Sequence, residues 1–143
     1  MRFYFDPNSI TMASGDSLYL LYAYAGSSTA VLRFEFRFYN SSYQLRASQI
    51  TDSTTWRATN WFNIADSPHF IELDWRAATA AGANNGGLTV WVDGVQQANI
   101  TGTDNDTRRI DKVQWGFTGI DSGTRGTAFL DAFESHKLNY IGP

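Results

Sequence analysis

A chain of 143 residues with 43% hydrophobic and 15% aromatic side chains can bury one sizeable core, which excludes a disordered segment. A formal net charge of −3 and a pI near 5.2 argue against a nucleic-acid or anionic-membrane binder, which would carry a basic stripe. With no cysteine and two histidines, disulfide frameworks, thiol chemistry, cysteine-held metals, multi-histidine sites and a Ser-His-Asp triad all lack their raw material.

The first predicted strand, RFYF (2–5), follows Met1 at once and leaves no apolar stretch for a secretory leader. SLYLLYAY (17–24), AVLRFEFRFY (30–39) and YQLRASQI (43–50) come next. Alternation is cleanest in the second of these: Leu32, Phe34, Phe36 and Phe38 fall on one face, Arg33, Glu35, Arg37 and Tyr39 on the other. The following run repeats the pattern, with Tyr43, Leu45 and Ala47 against Gln44, Arg46 and Ser48. A hairpin-length connection joins the two, so their polar faces are expected side by side.

TTWRATNWF (54–62) and HFIELDWRA (69–77) are the next strands, and RAATAAGANNGG (76–87) reads as a loop. LTVWV (88–92) and VQQANI (95–100) flank Asp93-Gly94, the strongest short-range hairpin signal, because a type I′ turn needs positive φ at both central positions. Leu88, Val90 and Val92 share one face, with Trp91 opposite. IDKVQWGF (110–117) and TAFLDAFES (127–135) complete ten predicted strands. Ten short strands without a helical period between them specify an all-β, antiparallel sandwich or barrel, read as one domain over 1–143. No apolar run approaches the ~20 residues that cross a bilayer.

From residue 69 onward, HFIELDW, GGLTVWVDGV and GTAFLDAFES occur in the order that resembles the concanavalin A-like lectin/glucanase superfamily. The likeness is to laminin-G-like jelly-roll domains of bacterial surface and secreted proteins. It implies a jelly-roll β-sandwich in an extracellular or cell-surface protein. Such sandwiches open with a strand that pairs near the closing one. This chain begins so abruptly that it is expected to lack that first strand, leaving an edge for a homo-oligomer or a strand-supplying neighbour.

The related glucanases carry Glu-x-Asp-x-x-Glu on one strand. Here Glu72 and Asp74 are followed by Ala77, so the pair of carboxyl groups that a retaining mechanism needs is incomplete, and no enzyme is expected. For calcium, Asp104 and Asp106 offer hard oxygen ligands in one loop, and the resemblance adds Asp131 of the closing strand; a purely solvated loop is the competing reading. For a glycan, Trp56 and Trp61 supply ring faces, and Arg33, Arg37 and Arg46 supply guanidiniums that suit carboxylated sugars. Against this stands the reading in which the Trp residues cap the core edge and the charges form cross-strand pairs. Trp75, Trp91 and Trp115 read as packing residues, and His69 and His136 as surface or edge residues. The expected function is a non-catalytic glycan- or surface-polymer-binding module; the alternative is an assembly module that binds other subunits and no sugar.

Overall fold

The computed structural model describes residues 1–137. Eleven strands occur among them: β1 (Arg2–Asp6), β2 (Ser17–Ala25), β3 (Thr29–Tyr39), β4 (Ser42–Ile50), β5 (Trp56–Ala58), β6 (Phe62–Ile64), β7 (His69–Arg76), β8 (Gly86–Val92), β9 (Val95–Thr103), β10 (Lys112–Thr118) and β11 (Phe129–Glu134). They form two antiparallel sheets packed face to face. The front sheet has the order β10-β2-β3-β4-β5, with β6 also pairing β4, and the back sheet has the order β11-β1-β7-β8-β9. No helix among the described residues is long and apolar enough to cross a membrane.

The core is made by the faces that the alternation specified. Leu32, Phe34 and Phe36 of β3 and Leu45 and Ala47 of β4 are fully buried, as are Ile71 of β7 and Val90 of β8. Phe3 and Phe5 of β1 reach across the sandwich to the front sheet. Phe5 meets Phe36 edge-on at 4.9 Å between ring centroids, and Phe3 meets Phe34 at 6.2 Å. Trp75 and Trp115 pack against this core, Trp115 against Phe133 at 5.3 Å, while Trp91 lies half-buried on the outer face of β8.

Three expectations are corrected. The position beside the closing strand, expected to be vacant, is held by β1, which pairs with both β11 and β7. The run 54–62 is not one strand. Its chain breaks at Thr59, whose amide donates to Ala47 O at 2.9 Å while its hydroxyl accepts from Ala47 N, so that β5 and β6 pair with different parts of β4. His69 is buried, because its parity on β7 is that of Ile71 and Leu73. Its Nδ1 is 2.7 Å from Asp93 Oδ2 and its Nε2 is 3.0 Å from Ala65 O, so the ring bridges the β8–β9 turn and the loop before β7.

That contact gives the Asp93-Gly94 turn a second task. Both residues have positive φ, 53° and 76°, as a type I′ turn requires. The Asp93 carboxylate also accepts from the Phe70 amide at 2.8 Å, tying the β8–β9 hairpin to the start of β7.

Candidate ligand-binding face

Three cross-strand rows cover the outer face of the front sheet. Tyr22, Arg33, Ser48 and Ala58 form one; Tyr19, Glu35 and Arg46 the next; Arg37, Gln44 and Asn63 the third. The predicted guanidiniums Arg33, Arg37 and Arg46 are therefore brought together, on adjacent rows of one surface. Arg46 Nε donates to Glu35 Oε2 at 2.7 Å, and Glu35 is only 6% exposed. Arg37 Nε donates to Gln44 Oε1 at 2.8 Å, and Gln44 Nε2 passes the chain on to Asn63 Oδ1. Among the described residues, neither Arg33 nor Arg37 has a carboxylate within ion-pair distance.

Aromatic rings hold these cations instead. Arg33 lies 4.1 Å from the Trp56 ring centroid, and Arg37 and Arg46 lie 4.0 and 4.3 Å from that of Trp61. Arg37 also lies 4.5 Å from the Tyr39 ring. Cation–π contacts of this kind are worth ~0.5–1 kcal/mol where exposed and more where water is excluded. Trp56 and Trp61 are thus both on the face expected of them, but half-buried and already in contact with the protein's own arginines. Burial, with the nearby Arg46 charge, lowers the Arg37 pKa.

Two features of this face were not legible in the sequence. Tyr19, Tyr22 and Tyr24 make a contiguous aromatic ladder on β2, with ring centroids 4.6 and 5.7 Å apart. A register shift between Tyr19 and Leu21 puts them on one side although their spacing is uneven. Burial and the neighbouring Tyr19 push the Tyr22 hydroxyl pKa well above its usual value. Trp61 also walls a cleft of about 210 Å³ with Asn60, Phe62, and Gln97 and Asn99 of β9, which sets uncharged amides beside its ring.

The acidic loop has a different character. Carboxylate oxygens of Asp104, Asp106 and Asp52 all lie within 4.8 Å of one another. Three hard oxygen donors suit a cation such as calcium. Asp131 is not among them: it is exposed on β11, and its Oδ1 accepts from the Ala132 amide at 2.7 Å. The group is also a clasp between loops. Thr107 donates to Asp52 through its hydroxyl and amide, and Arg108 donates to the carbonyls of Thr51 and Asp52. Burial raises the Asp52 pKa, but the Thr107 hydrogen bonds prevail and hold it low; burial and the Asp52 charge raise that of Asp106.

Asn105, between the two loop aspartates, is fully buried, accepting from the Ala78 amide at 2.7 Å and donating to Arg76 O. A Cβ on Gly86 would stand 1.9 Å from Asn105 Oδ1, which is why glycine opens β8.

Glu72 and Asp74, the incomplete catalytic motif, lie on the outer face of β7. Glu72 is 2% exposed, and Asp74 pairs with Arg76 at 2.6 Å. A larger concavity of about 800 Å³, lined by residues such as Trp75, Arg109, Asp111 and Lys112, lies away from the guanidinium face and mixes both signs of charge.

Fold and surface together define a class: an all-β, two-sheet antiparallel sandwich with an arginine–aromatic outer face. No family model, curated protein or solved structure matches the chain.

Proposed function

We propose that this chain is a non-catalytic module of an extracellular bacterial protein that binds an acidic glycan or surface polymer through the outer face of its front sheet. The observation that carries the reading is the state of Arg33 and Arg37. Both are partly desolvated, both contact aromatic rings, and neither has a carboxylate partner among the described residues. A stacked guanidinium uses its flat face on the ring and keeps edge N–H groups for a carboxylate oxygen. Amide groups beside Trp61 add donors and acceptors for sugar hydroxyls. The strand order, with β1 between the closing strand and β7, supports a concanavalin A-like jelly roll. Structural calcium belongs to the same reading, with Asp52, Asp104 and Asp106 as its ligands.

A glycan array screened with calcium and again with chelator tests this. Acidic glycans are expected to bind, Trp61→Ala and Arg37→Gln to abolish that binding, and neutral glycans to bind more weakly. An array that stays silent under both conditions overturns the reading. An assembly role is favoured by one observation: Tyr4 and Phe129 are about half exposed on the back sheet, at 49% and 53%. A chain that self-associates and ignores glycans would take that role.

A further inference from the structure

The front-face arginines differ in what they still lack. Arg46 Nε is committed to Glu35 and Arg37 Nε to Gln44. Arg33 Nε is buried without any hydrogen-bond partner, and so is the hydroxyl of Ser48, a residue that is 0% exposed. Arg33 and Ser48 are directly opposite each other in the β3–β4 ladder. Cβ atoms of such a pair lie about 4.5–5.5 Å apart, near enough for one acceptor oxygen to serve both side chains. Buried donors without acceptors are rare, because each gives up hydration and receives nothing in return. Two of them in one cross-strand pair mark a place where the chain lacks an oxygen that a ligand can bring.

The surroundings narrow the chemistry. Tyr22 flanks the pair on β2 and Ala58 on β5, and the Trp56 ring lies over the guanidinium. A carboxylate oxygen can accept from a guanidinium N–H and a hydroxyl at once, with the charge assistance that a neutral hydroxyl oxygen lacks.

We infer that Arg33 Nε and Ser48 Oγ form the seat for a carboxylate oxygen of a uronic-acid-containing glycan, with Trp56 as the ring that shifts to admit it. This rests on the reading of the front face as a glycan-binding surface, and adds where the anionic group sits and which sugar class supplies it. Arg37, Arg46 and Trp61 then serve the neighbouring part of the polymer.

The test titrates the full chain with oligomers of galacturonate, glucuronate, guluronate and mannuronate, and with a neutral cello-oligosaccharide of matched length. Calorimetry and tryptophan fluorescence follow binding, and thermal melts follow stability. Ser48→Ala removes an unsatisfied hydroxyl, so its melting temperature is expected to stay level or rise while oligouronate affinity falls about tenfold. Arg33→Lys keeps the charge without the Nε donor and is expected to lose at least as much. Trp56→Phe is expected to keep binding and lose the fluorescence change.

Wild-type oligouronate affinity in Ser48→Ala, together with loss of binding in Trp61→Ala, would overturn the seat and leave the face intact as a glycan surface. Equal affinity for the neutral oligomer would overturn the carboxylate assignment. Failure of the unmodified chain to bind any of these oligomers would overturn both.

Discussion

The two outer faces of this sandwich share one pleat and differ in how their charges are closed. On the back sheet the ion pairs are short and wet: Asp74 with Arg76 at 2.6 Å, Arg2 with Glu134 at 3.0 Å. On the front sheet one acid, Glu35, pairs with Arg46 alone among the described residues, and the rings of Trp56 and Trp61 stand against Arg33 and Arg37 where a carboxylate would otherwise be. An ion pair in water satisfies both partners and leaves little to offer a ligand. An arginine stacked on a ring is held in place with part of its hydrogen-bonding capacity unspent. In a chain of net charge −3, that is a local accumulation of cations against the overall sign.

The sharpest break of this comparison removes one arginine from each face. Arg46→Met keeps a stem against Trp61 but leaves nearly buried Glu35 without its partner, and a stability loss of about 2–4 kcal/mol is expected by chemical denaturation. Arg76→Met removes a pair whose arginine side chain is 72% exposed, and a loss under about 0.5 kcal/mol is expected. Equal losses would mean that the two faces hold their charges alike.

A smaller effect concerns the back sheet alone. Burial raises the Asp93 pKa, but the Phe70 amide and His69 prevail and depress it below 3.8. A carboxylate lowered in the folded state contributes stability above its unfolded pKa and loses it as pH falls through the folded value. Melting temperature should therefore drop on acidification below about pH 3.8, and Asp93→Asn should flatten that limb while lowering stability at neutral pH.

The least effect is expected at the acidic clasp. In chelator, Asp106→Asn should be neutral or slightly stabilising, since it relieves repulsion from Asp52 and Asp104. With millimolar calcium the unsubstituted chain should melt higher and the variant should gain less. Identical melts in calcium and chelator would remove calcium from the proposal.

Much of the frame was legible because it follows from period-two patterning and one turn. LRFEFRFY fixed which side of β3 enters the core and, with the alternation of YQLRASQI after it, put Arg33, Arg37 and Arg46 together, and Asp93-Gly94 located the β8–β9 hairpin. His69 was misread because a histidine after proline at a strand start looks peripheral, and its two acceptors come from the Asp93 turn and from Ala65. Asp52 was missed for a related reason: it joins Asp104 and Asp106 only because Arg108 and Thr107 draw the loop after β4 against the loop after β9. Asp131 was grouped with them by likeness of motif, yet β11 carries it to the edge of the back sheet opposite β9, the strand that leads into their loop.

By itself, then, the sequence determined the class of fold, the buried faces and the sign of the polar face, because alternation and turn chemistry act between residues that are near neighbours along the chain. Tertiary structure alone decided which aromatic ring meets which guanidinium, which donors are left without partners, and where the opening strand pairs. Those outcomes depend on register between distant strands, on the bulge in β2 and on the break at Thr59, and no local pattern encodes the distances they set.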